Sequence, residues 1–294
     1  MLLRWFRSFM RDELRIYVHP EYLLLTQLKR QSSTGFKQQV IQQQVLTVDL
    51  SEPSNQWHAL KNHIADALNS NQWKEIVKQG ISAKVIISSH FARYAIIPWS
   101  DELAVESERQ AFMRYRFSAL FGDTVKTWNL QMSEPEFGQS TIASAIDSAL
   151  LTALHEVLAT ANIKMNSISP YLMSAINQSL PQINQAQINT EFWFVVVESE
   201  RLCFALIENG LWRLLKNVAV ETHLSEQIKT LIQREMVNCN VNFTLPVVIY
   251  QAESDAQPTL KIANFSTIKI QSNGFEQTIN SSEKSVKKWL EVRV

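Results

Sequence analysis

Glu191-Phe192-Trp193-Phe194-Val195-Val196-Val197, then Leu202-Cys203-Phe204-Ala205-Leu206-Ile207, then Asn209-Gly210 leading into Leu211-Trp212-Arg213-Leu214-Leu215, is the passage that decides the fold. β-Branched and aromatic residues crowd the first two runs, which read as strands joined through Glu198 to Arg201. Asn209 and Gly210 both tolerate positive φ, so the second and third strands form a hairpin. A helical spacing follows from about Thr222 to Val237, carried by Leu224, Ile228, Leu231, Ile232 and Glu235. Pro246-Val247-Val248-Ile249-Tyr250 is then a short apolar run expected of a buried strand.

The same order occurs earlier in the chain. Leu14 to Val18, Tyr22 to Leu28 and Val40 to Leu50 alternate as strands, with His19-Pro20 breaking the first from the second. Trp57, Leu60, Ile64, Leu68 and Ile76 predict one helix from about Asn55 to Gln79, ended by Gly80. Ala83-Lys84-Val85-Ile86-Ile87-Ser88 is again a short buried strand. The repeat is one of architecture, not of residue identity.

The stretch between is assigned to the first half. Phe91 to Ile97 reads as a strand, and Ser100 as the cap of a helix with Asp101 and Glu102 in its first turn, stopped by Gly122 after Phe121. Val125 to Met132 and Thr141 to Ile146 make a strand pair. Asp147 caps a helix with Leu150, Leu151, Leu154, Val157, Leu158 and Ala161 on one face. The polar segment Asn177 to Asn189, with Pro181, is the expected boundary. The domain reading is therefore an N-terminal helix over 1–13, a first subdomain over 14–180 and a second over 190–294.

Hydrophobic residues make up 46% of the chain and charged residues 19%, the balance of a globular protein rather than a disordered one. The 28 basic and 28 acidic residues cancel, so no overall field selects nucleic acid. Cys203 and Cys239 make no disulfide framework and suit a reducing compartment. No run approaches the roughly 20 apolar residues of a bilayer span, and the arginines of the first ten residues break any secretory apolar core. A cytoplasmic protein is expected.

Candidate chemistry is sparse. His58 and His63 lie about 140° apart on their helix and cannot share a metal as an i, i+4 pair would. His155-Glu156 lacks the second histidine of a zinc-protease helix. These three read as surface histidines, and Ser88-Ser89-His90 as a turn rather than a catalytic arrangement. With only 6 glycines, the chain has no Gly-x-Gly-x-x-Gly, no phosphate loop ending in Gly-Lys-Ser/Thr and no Asp-x-Gly. No catalytic, metal or cofactor-binding residue is assigned, and no cofactor is expected.

The duplicated order of three strands, helix and strand resembles the actin-like ATPase fold of the ribonuclease H-like class, an α/β fold of two βββαβ-type subdomains with mixed sheets. More narrowly, Val85 through Trp99, with Phe91-Ala92-Arg93-Tyr94 and Pro98-Trp99, followed by a helix bearing Arg114, Phe117 and Phe121-Gly122, is similar to actin-like proteins of type IV pilus and type II secretion assembly, of the PilM, GspL cytoplasmic-domain and MshI type. Nucleotide-binding members carry Asp and Gly at two phosphate hairpins. The equivalents here are Val18-His19-Pro20-Glu21-Tyr22 and Val197-Glu198-Ser199-Glu200-Arg201. Glu198 offers a carboxylate, but the Ser-Glu-Arg turn would crowd phosphates.

The resemblance thus implies a non-catalytic cytoplasmic adaptor with a degenerate ATP site. Its partners would be protein components of a pilus or secretion machine, including an inner-membrane protein. A small-molecule kinase or phosphotransferase with an atypical site is the alternative, and an interaction module unrelated to envelope machinery a third.

On a helical wheel Leu2, Leu3, Trp5, Phe6, Phe9 and Met10 fall between about 140° and 300°, and Arg4, Arg7 and Arg11 between about 340° and 40°. An aromatic-rich face beside an arginine ridge is the pattern of a helix that lies on an anionic membrane surface or in a partner's groove. Docking on the protein's own core is the third reading.

Overall fold

Strand β1 (Glu13–Val18) turns Leu14, Ile16 and Val18 to one face, all fully buried, and its Tyr17 on the other face is buried too. A strand covered on both faces has no water for its backbone, so both edges must be paired. In the computed structural model, which describes residues 12–30, 38–100, 105–133, 137–188, 190–220, 223–241, 245–251 and 260–270, they are. β2 (Tyr22–Arg30) runs antiparallel along one edge of β1, and β4 (Ser82–Ile87) parallel along the other. β3 (Gln38–Thr47) lies outside β2 and β8 (Lys164–Pro170) outside β4, giving the order β3-β2-β1-β4-β8. The Glu13 carboxylate receives Arg15 at 2.9 Å and Lys84 at 3.0 Å, tying β1 to β4.

Helices α1 (Gln56–Asn69) and α4 (Ser148–Thr160) pack on one another in this first unit. The Asp147 carboxylate accepts from the Ala149 N–H at 2.8 Å, the expected cap. The single helix expected over 55–79 is instead two, α1 and the short α2 (Lys74–Lys78). Trp73 breaks it: the side chain is fully buried and its Nε1–H donates to Gln44 Oε1 at 2.6 Å, so the chain turns at Ser70 to bring it inward.

The second unit repeats the plan. β9 (Phe192–Glu198) is buried throughout, flanked by antiparallel β10 (Arg201–Glu208) and parallel β12 (Val247–Gln251); β11 (Leu211–Ala219) and β13 (Thr267–Ile270) lie outside them, in the order β11-β10-β9-β12-β13. Asn209 and Gly210 take positive φ in the expected hairpin. The duplication reaches a fine detail: the ladder slips after Gln27 in β2 and after Leu206 in β10, the same place in each strand. Helix α6 (Leu224–Cys239) lays Leu224, Ile228, Ile232 and Met236 over Trp193, Val195 and Phe204, where the rings of Trp193 and Phe204 stack at 4.9 Å.

Residues 92–146 build a smaller sheet of order β5-β7-β6, from β5 (Ala92–Ile97), β6 (Trp128–Met132) and β7 (Thr141–Asp147), packed on α3 (Glu106–Phe121). Here the structure departs from the expected domains. β5 runs beside β11, and Asn217 Nδ2 donates to the Ala92 carbonyl at 3.2 Å. Among the described residues the compact groupings are those up to Phe91 with Asp147–Tyr171, and those of Ala92–Ile146 with those between Leu172 and Ile270, where the sequence led us to expect 14–180 and 190–294. Three local expectations also change. Glu13, placed in the N-terminal helix over 1–13, is the first residue of β1. Helix α3 starts at Glu106 rather than after Ser100, with the Val105 N–H donating to the Glu108 carboxylate at 3.4 Å; Asp101 and Glu102 lie outside the described residues. The polar boundary at 177–189 is mostly helix α5 (Tyr171–Gln185), which accommodates Pro181. Among the described residues no helix is long and apolar enough to cross a membrane.

Glu235 shows how α6 is held. Its side chain is 3% exposed and receives Lys216 Nζ at 2.7 Å, Arg234 Nε at 2.8 Å and Asn238 Nδ2 at 3.2 Å. Burial pushes this carboxyl up, but the hydrogen bonds from Lys216, Arg234 and Asn238 outweigh it and hold it below the usual glutamate value. A carboxyl so held adds stability that is complete above its ordinary value and is lost as pH falls through the lowered one. Glu235→Gln is therefore expected to cost about 1.5–3 kcal/mol at pH 7 in urea unfolding. The gap from the unsubstituted protein should close as pH falls below about 4; a gap independent of pH would mean the charge contributes nothing.

Candidate functional site

The two hairpin turns, β1 to β2 and β9 to β10, stand where the resemblance to actin-like proteins implies phosphate hairpins. In the first, Pro20 and Glu21 form a two-residue loop closed by the His19 N–H donating to the Tyr22 carbonyl at 3.0 Å. Pro20 brings no N–H. The Glu21 N–H is turned onto the ring of His19, donating to Nδ1 at 3.3 Å, which places that ring's proton on Nε2 in the neutral form. The loop carbonyls are engaged as well: Val48 N–H donates to Glu21 O at 2.9 Å and Leu50 N–H to Pro20 O at 2.8 Å. The donors of His19 and Glu21 are thus already used within the turn.

Rings fill the space around it. His19 is 1% exposed and stacks on Tyr22 with centroids 4.4 Å apart; His90 meets it edge-on at 4.8 Å. Tyr17 packs against Tyr22 at 5.8 Å and Tyr171 at 5.4 Å. Ser88 and Ser89, both fully buried, shape the turn after β4: Ser88 N–H donates to Val18 O at 3.0 Å, and Ser88 Oγ accepts from His90 N–H at 3.2 Å while lying 2.9 Å from His90 Nδ1. The turn reading of Ser88-Ser89-His90 thus has its geometry, a hydroxyl bonded to the backbone two residues on. The sequence marked His19 only as a strand break. Its burial and its stack on Tyr22 needed the hairpin to be closed.

The second turn, Ser199-Glu200, is equally tight, with Glu198 opposite Arg201. Glu200 sits at φ 57°, a left-handed conformation that costs a non-glycine residue about 1–2 kcal/mol. Glu198 is buried, and Val220 N–H donates to Glu200 O at 3.1 Å. In the same unit Arg93 of β5 is half-buried, and burial together with the like charge of Arg201 lowers its guanidinium pKa; it stays cationic at any physiological pH.

Other residues singled out from the sequence do not converge. His58 and His155 are exposed and His63 half-buried, on α1 and α4. Cys203 is buried in β10; burial and the nearby Glu235 push the Cys239 thiol up. Among the described residues no group of three or more His, Cys, Asp or Glu is placed to hold a metal ion. Leu2, Leu3, Arg4, Trp5, Phe6, Arg7, Phe9 and Arg11 lie outside the described residues.

Known structures share this architecture. A Bacteroides thetaiotaomicron protein with an actin-like ATPase fold and unknown function is 14% identical with a TM-score of 0.58, over 90% of this chain and 92% of its own. A chain of a PilM–PilN type IV pilus biogenesis complex is 9% identical at TM-score 0.55, over 88% of each. The cytoplasmic domain of EpsL, an inner-membrane component of the type II secretion system of Vibrio cholerae, is 11% identical at TM-score 0.53, over 89% and 90%. No family model and no curated protein matches the chain in sequence. The class is therefore settled by architecture: this is an actin-like fold, with structural neighbours that include a PilM–PilN complex and the EpsL cytoplasmic domain.

His19→Ala removes both the stacked ring and the acceptor of the Glu21 N–H, and is expected to destabilise the protein by about 2–4 kcal/mol. His19→Asn restores an acceptor without the ring and should recover about 1 kcal/mol of that. Urea unfolding of both variants measures this; a loss under about 0.5 kcal/mol for His19→Ala, the range of an ordinary surface change, would mean the turn does not depend on His19.

Proposed function

We propose that this protein is a non-catalytic scaffold serving a type IV pilus of the MSHA kind, or a type II secretion machine, from the cytoplasmic face of the inner membrane. The observation that carries the reading is the β1–β2 turn: Pro20 supplies no donor, and the Glu21 N–H is spent on His19 Nδ1. Phosphate binding at such a turn relies on free backbone N–H groups and close approach, and here buried rings stand in that place. The ATP site of the fold is degenerate in this chain, and holding partners is what the architecture is retained for. Likeness to the EpsL domain and to the PilM–PilN complex supports the choice of machine, with an inner-membrane component as the partner.

Residues 1–11 place the scaffold, through the aromatic face of Trp5, Phe6 and Phe9 and the ridge of Arg4, Arg7 and Arg11. Burying a large apolar side chain is worth about 1.5–3 kcal/mol. Each arginine near an anionic surface adds about 1 kcal/mol, a part that salt weakens. The sum gives reversible attachment.

Two measurements test this. Millimolar ATP with magnesium is expected to leave the melting midpoint unchanged, where a ligand at 100 times its dissociation constant would stabilise the protein by about 2.7 kcal/mol; a clear rise would promote the phosphotransferase alternative. Replacing Trp5 and Phe6 with serine should abolish sedimentation with phosphatidylglycerol vesicles and leave the midpoint in place. A midpoint lowered by several degrees with vesicle binding intact would assign the segment to the protein's own core.

A further inference from the structure

The outer strand of a sheet turns a row of main-chain N–H and C=O groups away from the fold, and another chain can pair with them. Proteins blunt such edges with charges, with proline or by keeping the strand short. Two outer strands of this molecule follow that rule: β8 carries Lys164 and ends on Pro170, and β13 has four residues with Lys269 among them. β3 does not. It is outermost beside β2, ten residues long, and Gln38-Gln39-Val40-Ile41-Gln42-Gln43-Gln44-Val45-Leu46-Thr47 holds no charge, no proline and no glycine. An uncharged run with Val40, Ile41, Val45 and Thr47 among glutamines has the composition that pairs with identical copies of itself.

The direction of each group along β3 follows from its bonds. Gln43 O accepts from Gln72 Nε2 at 3.3 Å, on the side away from β2, while Val48 N–H donates toward the first hairpin, to Glu21 O at 2.9 Å. Both main-chain groups of a strand residue point to one side and successive residues alternate, so Gln43, Val45 and Thr47 turn theirs outward. Farther along, the ladder slip leaves Ile41 out of register with β2, a bulge of the kind that twists an edge away from a newcomer. Pairing about a two-fold axis would therefore set Val45 against Val45 of a second copy, and Gln43 against its Thr47. A turn of the same chain stands in the way. Gln72 holds β3 twice, accepting from Gln42 Nε2 through its own carbonyl at 3.1 Å and donating to the Gln43 carbonyl. Beside it the buried Trp73 donates to Gln44 Oε1 at 2.6 Å and fixes the turn against the strand. Gln72 itself is exposed, so its side chain fills no core; what its amide does is occupy the Gln43 carbonyl.

We propose that residues 70–73 are an edge guard: held across Gln42, Gln43 and Gln44, they keep β3 from pairing antiparallel with β3 of a second copy of this chain. A second copy is the fitting occupant because the strand is its own complement. Glutamine donates and accepts through one side chain, and no like charges meet when two such strands lie side by side. The guard is independent of which machine the protein serves.

Sedimentation velocity of the full chain over a range of concentrations tests this. Gln72→Ala is expected to raise the self-association constant about tenfold or more. Gln72→Glu removes the same donor but leaves a charge at the edge, and should not associate. Adding Val45→Pro to Gln72→Ala should return the protein to the association state of the unsubstituted chain, since proline there deletes an outward N–H and spares the ladder to β2. Thr47→Lys, which sets a charge on the edge through an exposed side chain, should reverse the gain in the same way. Association unchanged by Gln72→Ala would overturn the proposal. So would equal gains from Gln72→Ala and Gln72→Glu, which would mean a general loss of stability, or a gain that both Val45→Pro and Thr47→Lys leave in place.

Discussion

Complete burial of two central strands is the constraint on which the rest of this structure depends. β1 is closed to solvent over nearly its whole length and β9 over all of it. In such a position every main-chain N–H and C=O must be bonded to a neighbour, since an unpaired one costs as much as a lost hydrogen bond in the interior. A hairpin partner supplies one edge cheaply. The other edge needs a parallel strand, and a parallel partner requires a crossover long enough for a helix. A hairpin, a helix and a strand are the shortest order that satisfies both edges, and the third strand of each unit covers the outer edge of the hairpin. The appearance of this order twice, with the ladder slipping at the same place in β2 and β10, means that both halves solve one packing problem in one way.

How much of this was legible follows from the same constraint. Elements whose pattern is dictated by burial on both faces, such as Val195 to Val197 or Val85 to Ile87, were plain in the sequence. Elements at the sheet margins were not. β8 alternates weakly because most of Lys164–Pro170 stays partly or wholly exposed, and β13 is four residues long. The break between α1 and α2 escaped notice because its cause is Trp73 meeting Gln44, a partner distant in sequence. The polar run after Asn177 looked like a linker, yet Ile183 and Ser179 face inward often enough to hold a helix. Residues 92–146 read as part of the first half by position in the chain, whereas the adjacency of β5 and β11 places them with the second sheet.

The candidate site was legible only by what it lacked. The sequence showed histidine, proline and glutamate where a phosphate hairpin would carry aspartate and glycine, and it could not show where the Glu21 N–H points. That direction matters more than residue type. A bulky turn with free donors can still grip an anion, whereas a turn whose donor is bonded to its own histidine ring has to break that bond first.

Sequence divergence between the halves shows how loosely the fold constrains its residues. Apolar interiors constrain volume and pattern more than identity, so Leu14, Ile16 and Val18 in one sheet and Trp193, Val195 and Val197 in the other do equivalent work. The ion pairs differ as freely: Glu13 joins β1 to β4, while Glu235 joins α6 to β11. Neither pair is prescribed by the architecture, and the turns are under no greater obligation. An actin-like sheet stays stable whether such a hairpin holds a nucleotide or, as at His19 and Tyr22, packs its own rings together. What such a chain does is therefore written in the groups its core leaves over. In this chain one of those is the Glu21 N–H, spent on His19 Nδ1.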